Sequence, residues 1–385
     1  MRIDNQRGFA LPAAIGALVI IGILVTAGFF MAQQELRIGV ASHNANQAVN
    51  IAQMGANDVM ANWNGYQLSR IRPWQTATVT QTVTGGSWTV SITNANNYVY
   101  RLHATGTVTQ GGVMWAGASR TIGVVAKMLF ADIDPPGALT TRGNVTVKGS
   151  AAINGNDYVP PLWAPYCTTV PTTNMPGVVT DAGSTVTSSG GAIVAGNPPS
   201  VLDPTVVTST FNDFGNLTWE QLTALAQAEG KNVTSLGSTI NGTAPVVAGG
   251  VCNEAVLTNW GDTLPTAPCG AYFPLIYHGG NLTIQSGAYG QGLLLVQGNL
   301  QLRGNFLFYG IIIVQGTFGT AGSGNRIIGG VLAGNDLSLT ETLTGGSTIT
   351  YSRCAVQRAV LNNRNLSRAR PVSQRSWVDL TAVTN

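Results

Sequence analysis

At 385 residues the chain has room for more than one domain with its own core. Charged residues make up only 9% of it and glycines number 48, which excludes a charged helical bundle and favours glycine-punctuated β structure. The net charge of +3 is too mild over this length to specify a nucleic-acid or acidic partner.

Residues 1–8, MRIDNQRG, are polar and carry Arg2 and Arg7 against Asp4, and residues 9–32 then run without a charge. At ~1.5 Å per residue that run exceeds the ~30 Å of a hydrocarbon layer. The basic flank places Met1 on the cytoplasmic side and everything after the helix outside. Three readings fit the segment: a secretory signal peptide, a plain signal anchor and a prepilin-type leader. The apolar core is longer than a signal peptide needs and continues as helix. Gly8-Phe9 stands before the apolar run, where a cytoplasm-facing peptidase reaches it and leaves the membrane helix attached, so the leader reading is favoured. Past the membrane, residues 33–63 stay helical, and Ala48, Ile51, Ala52, Gly55 and Val59 form one narrow apolar stripe.

The stretch RGFALPAAIGALVIIGILVTAGFF, followed by QQELRIG and a helix ending near Trp63, resembles the N-terminus of PilX-type minor pilins. More loosely it is similar to the tip minor pseudopilin of type II secretion. The resemblance implies cleavage between Gly8 and Phe9 by a prepilin peptidase and a helix held in the inner membrane. It also implies packing of that helix against other pilin subunits, with the head outside and on the pilus or cell surface after assembly. In the major-pilin pattern the fifth residue after the cleavage glycine is Glu; here it is Ala13, which argues for a few copies at the tip or in an initiation complex.

After Gly65 the pattern changes to alternation. Ser87–Ile92 and Tyr98–Leu102 read as strands around a turn at Asn94–Asn97, with further strands at Gly106–Thr109 and within Arg120–Met128. Helix and four antiparallel strands make a pilin-like unit over 33–130.

From residue 137 the chain is glycine-rich. Gly280-Asn281-Leu282-Thr283-Ile284 recurs as Gly298-Asn299-Leu300-Gln301-Leu302, and Gly316 and Gly334 continue the interval of 18 residues. Short apolar strands between glycine turns at a fixed period predict a β-solenoid, expected to be right-handed. Gly143–Val147 and Ala192–Val194 read as further coils. An insertion over about 197–274 carries one helix, opened by a capping box at Thr218 and Gln221. The predicted class is therefore α+β, with a membrane-spanning helix, a pilin-like antiparallel sheet and a β-solenoid. The predicted units are 1–8 leader, 9–32 transmembrane helix, 33–130 helix and sheet, 131–350 solenoid with its insertion, and 351–385 an arginine-rich C-terminal cap or strand.

Four cysteines in a chain that leaves the cytoplasm read as disulfides. Of three possible pairings, closeness around a Pro-rich loop favours Cys252–Cys269, which leaves Cys167–Cys354. Arg353, Arg358, Arg364, Arg368, Arg370 and Arg375 fall in a stretch with no acid, either as scattered surface arginines or as a weak patch for DNA or anionic surface glycans. Solenoid enzymes need clustered carboxylates or a metal. Residues 280–350 hold only Asp336 and Glu341, while His43, His103 and His278 lie in separate segments, His278 as a turn residue. No catalytic residue, metal site, cofactor or phosphate loop is predicted, and the chain is not expected to be an enzyme. The expected role is structural: a minor pilin of a type IV pilus or pseudopilus that displays its solenoid head for adhesion or capping. The alternative is a single-helix anchored binding module for glycan or DNA that never enters a filament.

Overall fold

The computed structural model describes residues 10–63, 68, 71–96, 99–109, 117–167, 170, 172–228, 230–285, 287–334, 340–363, 365–372 and 377–381. The first element is one unbroken helix, α1 (Ala10–Ala61). Its second half lies on an antiparallel sheet of β1 (Thr76–Val83), β2 (Gly86–Asn96), β3 (Val99–Val108) and β4 (Ser119–Phe130). The apolar stripe is the contact: Ala48, Ile51, Ala52 and Val59 are buried together with Trp88, Val90, Ile92, Leu102 and Ala104. Small residues set how close helix and sheet come. A Cβ on Gly55 would stand 2.7 Å from the Trp88 ring, and one on Gly106 would strike the Ala48 carbonyl. Trp63 closes the lower edge, edge-on to Tyr100 at 5.0 Å.

The strand pattern departs from expectation in two places. Val99–Leu102 and Gly106–Val108 belong to the one strand β3, Tyr98 lying outside the described residues, and the fourth strand is instead β1. Its sequence, TATVTQTV, turns Ala77, Val79 and Val83 toward the core and its threonines outward, but these side chains are small and only half-buried, so the alternation is weak.

Beyond residue 137 two parallel sheets run through stacked coils. One contains Leu275–His278, Tyr289–Val296, Leu307–Val314, Arg326–Ala333 and Thr348–Tyr351; the other contains Leu282–Ile284, Leu300–Arg303, Phe318–Ala321 and Thr340–Leu343. Leu275 stands opposite Leu293 and Leu293 opposite Ile311, while Leu282 stands opposite Leu300 and Leu300 opposite Phe318. The predicted interval is thus the height of one coil. The repeated asparagine holds each corner: Asn281 Oδ1 accepts the Asn299 N–H at 2.9 Å, and Asn299 Oδ1 accepts the Thr317 N–H at 2.8 Å. The last predicted start does not hold. Ile311 faces Gly330, a slip of one residue, so Gly334 occupies the place of Gln315 rather than of Gly316.

The long strands bend at a column of glycines. Gly292, Gly310 and Gly329 have φ of 110°, 137° and 144°, a region that side chains avoid. A Cβ on Gly310 would collide with the Gly292 carbonyl of the coil beside it. The two patterns within a coil have different causes. Leu300–Arg303 alternates because one face meets water, whereas Leu293–Val296 and Ile311–Val314 are continuously apolar and buried on both faces. Phe211 and helix α2 (Trp219–Ala228) cover that outer face, with Trp219 Nε1 donating to Gln297 Oε1 and Gln315 Nε2 donating to the Phe211 carbonyl. The predicted capping box opens α2: Gln221 N–H donates to Thr218 Oγ1, and Thr218 N–H donates to Gln221 Oε1.

The stacking order differs from the sequence order. Leu139–Thr141, Asn144–Gly149 and Ala152–Asn154 form a coil that pairs with Val331–Ala333, Thr340–Leu343 and Thr348–Thr350, the last of the repeats. Val178–Thr180, Val186–Gly190 and Ile193–Ala195 stack on it, and Ser200–Leu202 pairs outermost. The chain then passes down the flank to the opposite end, where Lys231–Asn232 and Thr239–Ile240 pair with Leu275–His278 and Leu282–Ile284. The insertion predicted over 197–274 is therefore not continuous, because residues 231–240 are part of the stack. His278 ties that end together, its ring nitrogens 3.0 Å from the Gly280 carbonyl and 3.1 Å from that of Gly237.

After helix α3 (Arg353–Leu361) the chain returns to the first sheet, where Ser367–Pro371 and the expected strand at Trp377–Asp379 pair antiparallel with β4. The coils are thus inserted between two neighbouring strands of the first sheet.

Candidate functional site

The largest exposed apolar surface is the first half of α1. Residues 11–39 are all exposed, among them Leu18, Ile20, Leu24, Phe29 and Phe30, and nothing lies within 4 Å of a Cβ built on Gly16, Gly22, Gly28 or Gly39. The helix is long and apolar enough to cross a membrane, with a mean hydropathy of 2.5 over its best window. Such a surface is not stable against water in a monomer and calls for lipid or protein around it. Ala13 sits on it, exposed; Gly8 and Phe9 lie outside the described residues.

The six arginines do not form one surface patch. Arg358 is buried, with its guanidinium 4.5 Å from the Trp163 ring, 4.9 Å from Tyr166 and 5.2 Å from Phe273. Arg353 donates to Thr173 Oγ1 at 2.7 Å, and its N–H donates to Asp157. Arg370 is exposed on the returning strand, where Arg368 also lies; Arg364 and Arg375 fall outside the described residues. The reason is helical: α3 turns Cys354, Ala355 and Arg358 toward the coils, where the aromatic rings facing the buried guanidinium offset part of its desolvation.

Disulfides join Cys167 to Cys354 and Cys252 to Cys269. The first ties the segment 161–167 to α3, and the second closes a loop at the end of the stack where residues 231–240 lie. Asn259 holds the interior of that loop, its Nδ2 donating to the Val246 and Asn253 carbonyls.

Beside this loop lies a cleft of about 720 Å³, walled by the end of α1 (Ala61, Asn62), by residues 250–257 and 268–275, and by the turn after α3. Lys231 sits in its wall, 3% exposed, and donates from Nζ to the Glu254 carbonyl at 2.6 Å and the Val256 carbonyl at 2.7 Å. Burial depresses its ammonium to about 8, against a smaller opposing pull from Glu254. Asn363, fully buried in the opposite wall, accepts the Asn365 N–H on Oδ1, while its Nδ2 meets no acceptor among the described residues. Nothing in the sequence singles out either residue. Lys231 follows a glycine in a polar run, and Asn363 is one of three asparagines in NNRN.

No protein-family model matches the chain, and no curated protein matches it. Among solved structures it matches the crystal structure of the competence-associated pilin ComZ from Thermus thermophilus, at 11% identity over 88% of this chain and 98% of that one. The TM-score of 0.26 is too low for that likeness to carry fold or function from one chain to the other.

Proposed function

We propose that this chain is a minor-pilin-like structural subunit of a type IV pilus or pseudopilus, with α1 as its assembly stem and the stacked coils as a β-solenoid head. The observation that carries this reading is the division of α1: one half bare and apolar from residue 11 to 39, the other packed through Ala48, Ala52 and Gly55 on an antiparallel sheet. A helix so divided suits transfer from an inner membrane into a bundle of like helices, with the N-terminus cytoplasmic and the head extracytoplasmic. The role is structural and displaying rather than catalytic. Prepilin peptidase and other pilin subunits are its expected partners.

The missing carboxylate at Ala13 favours the first position in a filament. An incoming subunit without it has nothing to offer a predecessor's amine at membrane depth, and the first subunit has no predecessor. The bulk of the inserted coils favours a few copies at a tip over repetition along a lattice. The plain-anchor alternative shares the bare helix and differs in processing. N-terminal sequencing of protein from membranes and from sheared filaments separates the two: a mature start at Phe9 and recovery with filaments support the subunit, whereas an intact Met1 in membranes alone refutes it.

A further inference from the structure

We propose that the cleft beside the Cys252–Cys269 loop is a binding site for a neutral saccharide. Its volume of about 720 Å³ lies within the range of small-ligand sites, roughly 300–1,000 Å³. The lining is rich in carboxamides, from Asn62 and from Asn362, Asn363 and Asn365 of the turn after α3. Side-chain amides both donate and accept, which is what a sugar hydroxyl requires. Tyr272 and Pro268 add ring and apolar surface for the C–H faces of a pyranose. Lys231 and Glu254 bring opposite charges, and the ammonium is already directed at the Glu254 and Val256 carbonyls, so the lining favours neither an anion nor a cation.

The second, independent observation is Asn363. Its side chain is fully buried, its Oδ1 is held by the Asn365 N–H, and that bond fixes which edge of the amide faces away from the turn. Nδ2 is left without an acceptor among the described residues, in the wall of a cleft that is partly open to solvent. Buried donors are ordinarily satisfied, and the cleft that Asn363 borders is a direction from which an acceptor for Nδ2 can come.

This rests on the proposed reading of the chain only in placing the cleft outside the cytoplasm. N-terminal processing tests that reading separately, and the binding test below is indifferent to it. The full chain, held in a polyoxyethylene detergent that carries no sugar, is titrated calorimetrically with chitobiose, cellobiose and lactose. The expected result is saturable one-to-one binding of at least one of them. Asn363→Asp keeps the acceptor for Asn365 and removes the Nδ2 donor; it should weaken that binding about tenfold without lowering the melting temperature. If Asp at 363 does destabilise the chain, Asn62→Ala, which removes an exposed carboxamide of the same lining, decides by the same loss of affinity. No binding of any of the three sugars up to ~10 mM, a millimolar limit that corresponds to about −3 kcal/mol, overturns the proposal. So does affinity unchanged in both variants, as expected if water alone fills the place of the acceptor, or binding of a DNA duplex in place of any sugar.

Discussion

Substituting Gly310 by Ala tests whether the glycine column is what allows the coils to stack. Two costs are separable there. The first is conformational: φ of 137° lies where an L side chain is strained, roughly 1–3 kcal/mol. The second is steric, because the new methyl would strike the Gly292 carbonyl and stand 3.1 Å from the Ala359 Cβ of α3. A backbone carbonyl cannot rotate away, so the coils must part or α3 must shift, adding roughly 1–3 kcal/mol. Gly242 provides the matched control: its φ is 139°, and nothing lies within 4 Å of a Cβ built on it. Gly242→Ala should therefore show the conformational cost alone, and Gly310→Ala about twice that loss or more. Gly280→Ala, with open space and no positive φ, should be neutral within ~0.5 kcal/mol. Urea titrations followed by far-UV circular dichroism read the three variants, provided their m-values agree. Equal destabilisation of the Gly310 and Gly242 variants would refute the stacking argument.

Four further outcomes are expected. Replacing Cys167 and Cys354 together by Ser should destabilise more than replacing Cys252 and Cys269: loops of 187 and 17 residues correspond to roughly 5 and 3 kcal/mol of chain entropy, so the opposite order in melting experiments counts against that account. Arg358→Gln should cost on the order of 2–4 kcal/mol through its three aromatic neighbours, whereas Arg370→Gln on the exposed strand should cost almost nothing; similar denaturation midpoints for the two would contradict the burial of Arg358. Lys231, with its ammonium near 8 when folded and 10.5 when unfolded, sheds its proton first in the native state, so it adds stability as pH rises from about 8 toward 10. Lys231→Met should flatten that rise, and an unaltered pH profile would mean that the ammonium is not the cause. Finally, immunogold labelling should mark filament tips, and even labelling along their length would remove the argument from Ala13.

The sequence by itself determined the features that local or short-period contacts control. An uncharged run from 9 to 32 makes a membrane-length helix whatever it packs on, and the stripe from Ala48 to Val59 shows which side of it is buried. The Gly-Asn repeat was legible because each asparagine bonds to the next coil one period later, so the spacing in the chain is the spacing in space. The capping box of α2 needs only four residues to declare itself. The edge strand β1 escaped because its inward residues Ala77, Val79 and Val83 are small, interrupted by Gln81 and only half-buried, which leaves a weak hydrophobic period. What only the tertiary structure decided depends on partners distant in sequence. The edges of parallel coils are chemically alike, so nothing local tells Ala152–Asn154 to pair with Thr348–Thr350, or the tail to leave the stack and pair with β4. Burial of Arg358 needed Trp163 and Phe273 brought to it from elsewhere in the chain, and the cleft needed α1, the disulfide loop and the turn after α3 assembled around Lys231. Hydrophobic periodicity reports which face of an element is covered; it carries no record of which other element covers it.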